Sequence, residues 1–173
     1  QVGEELFWMD RNYRLSLEGE FGEGVENTGS FDFSPDGSLI AVGTTNGEIR
    51  LLDISEPYGA NGVNQISMIS GIPGEVKRVA FSQDGLYIAA YVSDSSVRVW
   101  DIATLTELAF YQSVPVSSPI ALSPDNTTFA AGTTYWDIAT GQPTGSFNLP
   151  FDLYYESAEY TRDGLLILYA LRD

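Results

Sequence analysis

One pattern returns four times along the 173 residues and restricts the chain to a small group of all-β repeat architectures. Each copy has a short β-branched or aromatic stretch, a turn with a central Asp, and a second apolar stretch. The copies are SFDFSPDGSLIAVG from Ser30, RVAFSQDGLYIAAY from Arg78, IALSPDNTTFAAG from Ile120 and AEYTRDGLLILYA from Ala158. The turn aspartates Asp36, Asp84, Asp125 and Asp163 lie 48, 41 and 38 residues apart. Fixed periods in this range mark arrays of stacked supersecondary units.

The turns have a local physical reason. In Ser-Pro-Asp-Gly, Pro35 sits where its fixed φ is needed, Asp36 can bond nearby backbone, and Gly37 can take φ > 0. Gly85 and Gly164 can do the same, and Asn126 takes that place in the third copy. The runs from Leu39 to Val42 and from Ile88 to Val92 are almost continuously apolar, as strands covered on both faces are.

A second element follows each turn region: a strand ending in an apolar or aromatic residue and Asp. It reads IRLLDIS at Ile49, VRVWDIATL at Val97 and YWDIATG at Tyr135, with LFWMD from Leu6 opening the chain. Trp8, Trp100 and Trp136 are large plates suited to the gap between stacked sheets, where each indole N–H needs a partner. A further short strand comes next, with candidates at 14–17, 65–69, 107–111 and 144–147.

This pattern resembles the WD-repeat family of β-propellers over nearly the full chain. SPDG at 34–37 before LIAVG, and SQDG at 82–85 before VRVWDIATL, carry the resemblance best. It implies one domain over 1–173, built of four-stranded antiparallel blades with repeat turns near 34–37, 82–85, 123–126 and 161–164. It also implies that the aromatic–Asp signature marks the fourth strand of a blade and that the S-P-D-G turn joins the second strand to the third. The chain departs from the family in lacking every Gly-His pair and every histidine. The family's Asp-His-Ser/Thr-Trp bonding is therefore ruled out, and Asp53, Asp101 and the turn aspartates are expected to bond local backbone instead.

The chain opens on the fourth-strand signature and closes after a third-strand one, so one blade is expected to be split between the termini. The wrap-around spacing from Asp163 to Asp36 is 46 residues, in line with the others. Closure would remove exposed sheet edges. Three arrangements follow: a self-closed four-bladed ring, a ring shared by two chains, or part of a longer propeller. Assembly with another chain or a longer parent is the preferred expectation. The third unit is about five residues short, so its third and fourth strands must be short or its hairpin very tight.

The chain carries 24 acidic against 8 basic residues, a formal net charge of -16. Such a surface repels nucleic acid and suits a basic protein or peptide. Without Cys or His, nucleophilic triads and the commonest metal ligand are missing. GEGVENTG lacks the Lys-Ser/Thr of a phosphate loop, and no EF-hand spacing occurs. The expectation is a non-enzymatic scaffold with no catalytic residue, no cofactor and no metal. No apolar run approaches the roughly 20 residues of a membrane helix, so membrane insertion is not expected. A soluble chain follows, with its compartment open because the absence of Cys suits either side of a membrane.

Two long loops are the candidate partner-binding segments, since loops carry function more often than strands do. One spans 56–64 and holds Glu56, Tyr58 and Asn61; the other spans 18–29 and holds Glu20, Glu23 and Glu26. Protein or peptide recognition through such loops is the leading reading. The alternatives are a structural subunit that completes a ring or filament by sharing a blade, and a regulatory or sensory part of a larger protein.

Overall fold

The computed structural model describes residues 9–10, 13–14, 27–55, 64–112, 120–146 and 153–172. Three sheets have four antiparallel strands each. The first runs β3 (Asn27–Phe33), β4 (Leu39–Thr44), β5 (Ile49–Asp53) and β6 (Asn64–Ile69). The second runs β7 (Val76–Phe81), β8 (Tyr87–Val92), β9 (Val97–Asp101) and β10 (Glu107–Tyr111). The third runs β11 (Ile120–Leu122), β12 (Thr128–Ala131), β13 (Thr134–Asp137) and β14 (Pro143–Ser146). Two separate two-stranded sheets complete the description: β1 (Met9–Asp10) with β2 (Tyr13–Arg14), and β15 (Leu153–Tyr160) with β16 (Leu166–Arg172).

These sheets correct the strand assignment drawn from the repeat. The Asp-centred turn joins the first strand to the second, as β3 to β4 and β7 to β8. The aromatic–Asp signature closes the third strand, at Asp53, Asp101 and Asp137, and the strand after it is the fourth. The reason is pairing: β6 bonds back to β5, and β7 begins a new sheet. A periodic sequence can be cut at any phase, and only the hydrogen bonds fix where a sheet begins. The β15–β16 hairpin thus corresponds to a first and second strand, and β1–β2 to a third and fourth. Among the described residues these two hairpins are not paired with each other.

The turns adopt the backbone their residues favour. Gly37, Gly85 and Gly164 have φ of +72°, +73° and +86°, and Asn126 takes +55° in the glycine's place. In the third unit Ala131 pairs with Thr134, so the hairpin has only Gly132 and Thr133 at its tip, with Gly132 at φ +61°. The shortening appears as expected, in strands of four residues at Thr128–Ala131 and Thr134–Asp137 and in a tight hairpin, although these are the sheet's second and third strands and not its third and fourth.

Burial follows strand position. The second strands β4 and β8 are buried along nearly their whole length, as their continuous apolar runs predict. Between the first and second sheets Ala41, Ile49 and Leu51 meet Val79, Phe81, Ile88 and Trp100. Between the second and third, Val97, Val99 and Tyr111 meet Ile120, Leu122 and Phe129, with Trp136 packed alongside. Phe129 and Trp136 stack with ring centroids 6.1 Å apart. A smaller cluster of Ala121, Ala130 and Tyr160 joins the third sheet to β15. The fourth strands form the exposed rim, where Ile66, Met68, Leu108 and Phe110 face solvent.

Candidate functional site

The first strands face one another. β3 lies beside β7, β7 beside β11, and β11 beside β15. They surround a cleft of about 920 Å³ lined from all four strands and from the turns that follow β3, β7 and β15. A Ser or Thr two residues before each turn Asp braces the turn, and Ser82 and Thr161 of these also line the cleft. Ser34 Oγ donates to Asp36 Oδ1 at 2.6 Å and accepts Leu39 N–H at 2.8 Å. Ser82 Oγ donates to Asp84 at 2.7 Å and accepts Tyr87 N–H at 2.9 Å. Ser123 repeats this with Asp125 and Thr128 N–H at 2.6 and 3.0 Å, and Thr161 with Asp163 and Leu165 N–H. Sequence reasoning singled out the Asp but missed this hydroxyl, although S-P-D, S-Q-D, S-P-D and T-R-D show it in every copy.

The carboxylates are committed to neighbours in the chain. Asp36 also accepts the N–H and hydroxyl of Ser38 at 3.0 and 2.8 Å. Donation by Ser34 and then by Ser38 pulls its carboxyl down to about 2. Asp125 and Asp163 are lowered in the same way, first by the hydroxyls of Ser123 and Thr161. At Asp84, partial desolvation pushes upward, but the Ser82 hydroxyl, Leu86 N–H and Asn126 amide outweigh it. At the ends of the third strands, Asp53 bonds Ser55, Asp101 bonds Thr104 and Asp137 bonds Thr140, each through backbone and hydroxyl. All three are lowered by those bonds. Such carboxylates stay ionised at neutral pH, which suits a turn and not a general acid.

The cleft also holds cross-sheet bonds. Ser30 Oγ accepts Val79 N–H at 2.8 Å, and Asp32 Oδ2 accepts Phe81 N–H at 2.7 Å, tying β3 to β7. Gln83 Nε2 donates to the Tyr160 carbonyl at 2.6 Å, reaching from the turn after β7 to β15. Asn126 Nδ2 donates to Asp84 Oδ2, joining two turns along the rim. Asp32 differs from the turn aspartates: burial is the main influence and raises its carboxyl, against bonds from Phe81 and Phe33 N–H, while Glu159 adds to the rise.

Of the tryptophans, Trp100 is buried between the first two sheets. Trp136 packs beside Phe129, and its buried Nε1 has no hydrogen-bond partner, contrary to the expectation for these indoles. Trp8 and the loop candidates Glu56, Tyr58, Asn61, Glu20, Glu23 and Glu26 lie outside the described residues. Among the described residues there is no group of three or more His, Cys, Asp or Glu able to hold a metal ion. No helix there is long and apolar enough to cross a membrane.

Four-stranded antiparallel sheets stacked face to face, each opened by the same Asp-centred turn, define blades of a β-repeat protein. Residues 18–53 and 64–101 match the family model described as WD domain, G-beta repeat; these stretches are WD repeats, as the sequence motifs imply. The chain is similar to Pre-mRNA-processing factor 19 homolog 2 of Arabidopsis thaliana, with 29% identity over 86 residues, covering 50% of this chain and 15% of that protein. It is similar to Protein Rae1 of Drosophila melanogaster, with 22% identity over 164 residues, covering 86% of this chain and 46% of that protein. The Serine-threonine kinase receptor-associated protein of Gallus gallus is 31% identical over 79 residues, or 46% of this chain and 21% of that protein. The chain spans less than half the length of each of these relatives.

Proposed function

We propose that this chain is a non-catalytic scaffold that binds a protein or peptide at the rim of the cleft, with the 56–64 and 18–29 loops extending the contact. WD repeats generally serve as protein-interaction platforms, and the observation that carries the reading is the cleft itself. Four strands and three of their turns converge on one open cavity of about 920 Å³, while the turn carboxylates are bound up in structure. That arrangement offers a shaped, pre-organised surface without reactive groups. The formal charge of -16 favours a basic partner.

Fluorescence anisotropy with a panel of labelled basic peptides and acidic controls tests this. Basic peptides should bind, and their affinity should fall several-fold from low to high salt. Failure of every basic peptide to bind, or equal binding of the acidic controls, would overturn the reading.

A second reading rests on the two hairpins. β16 pairs only with β15 among the described residues, and β1–β2 matches the strands such a sheet lacks. Joining them completes a fourth blade, within one chain or between two, and the shared form would make the chain an assembly subunit.

A further inference from the structure

The first strands present the same backbone groups to the cleft at one level, and side chains cover only half of them. Ser34 N–H bonds the Leu39 carbonyl, Ser82 that of Tyr87, Ser123 that of Thr128 and Thr161 that of Leu165. Bonded and non-bonded residues alternate along an antiparallel pair. Phe33, Phe81, Leu122 and Tyr160, each one residue earlier, therefore turn their N–H and C=O groups away from the second strand, toward the cleft. Two bonds agree with this: Gln83 Nε2 donates to the Tyr160 carbonyl at 2.6 Å, and Phe81 N–H donates to Asp32 Oδ2 at 2.7 Å. Asp32 Oδ1 also accepts Phe33 N–H at 2.9 Å, so one carboxylate caps the N–H groups of two neighbouring first strands. Its equivalents, four residues before the other turn aspartates, are Ala80, Ala121 and Glu159. β11 lies beside β15 as β3 lies beside β7, so Ala121 holds toward Leu122 and Tyr160 the place that Asp32 holds toward Phe33 and Phe81. A methyl group accepts nothing. Among the described residues no acceptor meets the N–H of Leu122 or of Tyr160.

Given the peptide-binding reading of the cleft, on which this rests, we propose that Leu122 N–H and Tyr160 N–H form a two-donor socket for a carboxylate carried by the bound peptide. Asp32 supplies the pattern: two oxygens set between adjacent first strands, each taking one backbone N–H. Ala121, Leu122 and Tyr160 all line the cleft, so the vacant equivalent opens into the space a ligand would enter. Orphaned inward N–H groups are rare in folded proteins, and backbone donors gathered at one point favour an anion. Their bonds to a carboxylate are charge-assisted and stronger than bonds to a neutral oxygen. The chain's formal charge of -16 is not spread into the cleft, where Asp32 and Glu159 are matched by Arg78 and Arg162. Among the described residues neither arginine is taken up by an ion pair, and Arg162 stands two residues beyond Tyr160. The preferred peptide is thus basic overall, to suit the outer surface, and carries one carboxylate for the socket. That carboxylate is an Asp or Glu side chain or the peptide's own C-terminus.

The test compares lysine-rich peptides on the full chain by anisotropy and by amide nitrogen NMR. One has a central Asp and an amidated end, the second Asn in place of that Asp, and the third a central Ala with a free C-terminus. Bulk charge alone makes the Asn peptide, which is more basic, the tighter ligand. The socket reverses that order: the Asp peptide or the free-ended peptide should bind about tenfold more tightly than the Asn peptide, and the Leu122 and Tyr160 amide signals should move as it binds. A gain with the central Asp assigns the side chain as the source, and a gain with the free end assigns the C-terminus. Ala121→Asp fills the socket from within and should restore the order set by bulk charge. If that variant does not fold, Asp32→Ala makes the converse test, because the Phe33 and Phe81 signals should then respond to the same peptide. Tightest binding by the Asn peptide, or Leu122 and Tyr160 signals that stay in place, overturns the socket and leaves the scaffold reading standing. No binding by any of the peptides overturns both.

Discussion

At the scale of single residues, the same carboxylate chemistry has two opposite outcomes, set by what surrounds it. Asp36 is exposed and takes three short-range donors, so its ionised form is favoured and its carboxyl drops to about 2. A depressed folded value means stability that is complete above the unfolded 3.8 and lost as pH falls through about 2. Thermal unfolding across that window should show the melting temperature falling, and Asp36→Asn should flatten that fall by lowering the melting temperature near neutrality toward its acid value. An acid limb identical in the variant would show that the turn bonds do not matter. This turn was legible in the sequence because Pro35, Asp36 and Gly37 each have a strong backbone preference, and Asn126 follows the same rule. Asp32 was not legible. Within SFDF it looks like one more polar residue, and its burial depends on β7, which the chain reaches 49 residues later. Only the four strands compared together single out Asp32 and Glu159 against Ala80 and Ala121.

Elements were readable in kind before they were readable in order. The apolar runs at 39–42 and 88–92 announce strands covered on both faces, and β4 and β8 are buried as they require. The phase of the blade was misassigned because a repeat has no intrinsic first strand. The Asp that ends β5 reads equally well as the end of a sheet or as its third edge until β6 bonds back to it. The two described tryptophans occupy equivalent positions at the ends of β9 and β13 but differ in setting. Trp100 is 3% exposed in the first inter-sheet core, whereas the indole N–H of Trp136 is buried without an acceptor. Truncating Trp100 to Ala should therefore cost about 3–5 kcal/mol, the range for a large core aromatic. Replacing Trp136 with Phe removes an unpaired donor and keeps the stack on Phe129, so the change should stay within about 1 kcal/mol of neutral. Chemical denaturation of the two variants measures both, and a large loss in Trp136→Phe would mean that its N–H finds an acceptor after all.

For the whole molecule the governing quantity is curvature. The second sheet and β15 are separated in sequence by the entire third sheet, yet one glutamine side chain spans from one to the other, Gln83 to the Tyr160 carbonyl at 2.6 Å. The inner strands therefore turn steeply about the cleft, and whether β1–β2 of the same chain or another chain completes the fourth blade is the question this curvature poses. A shallow arc of a wide ring would place alternate blades beyond the reach of a side chain. Light scattering over a concentration series reads this directly. A closed chain should run as one species at 18.9 kDa at every concentration. A stable species at twice that mass would assign the missing strands to a partner copy and make the shared blade the assembly interface. Mass that climbs without limit would mean strand edges left open, because the edge of β16 away from β15 then offers its backbone to any neighbouring strand.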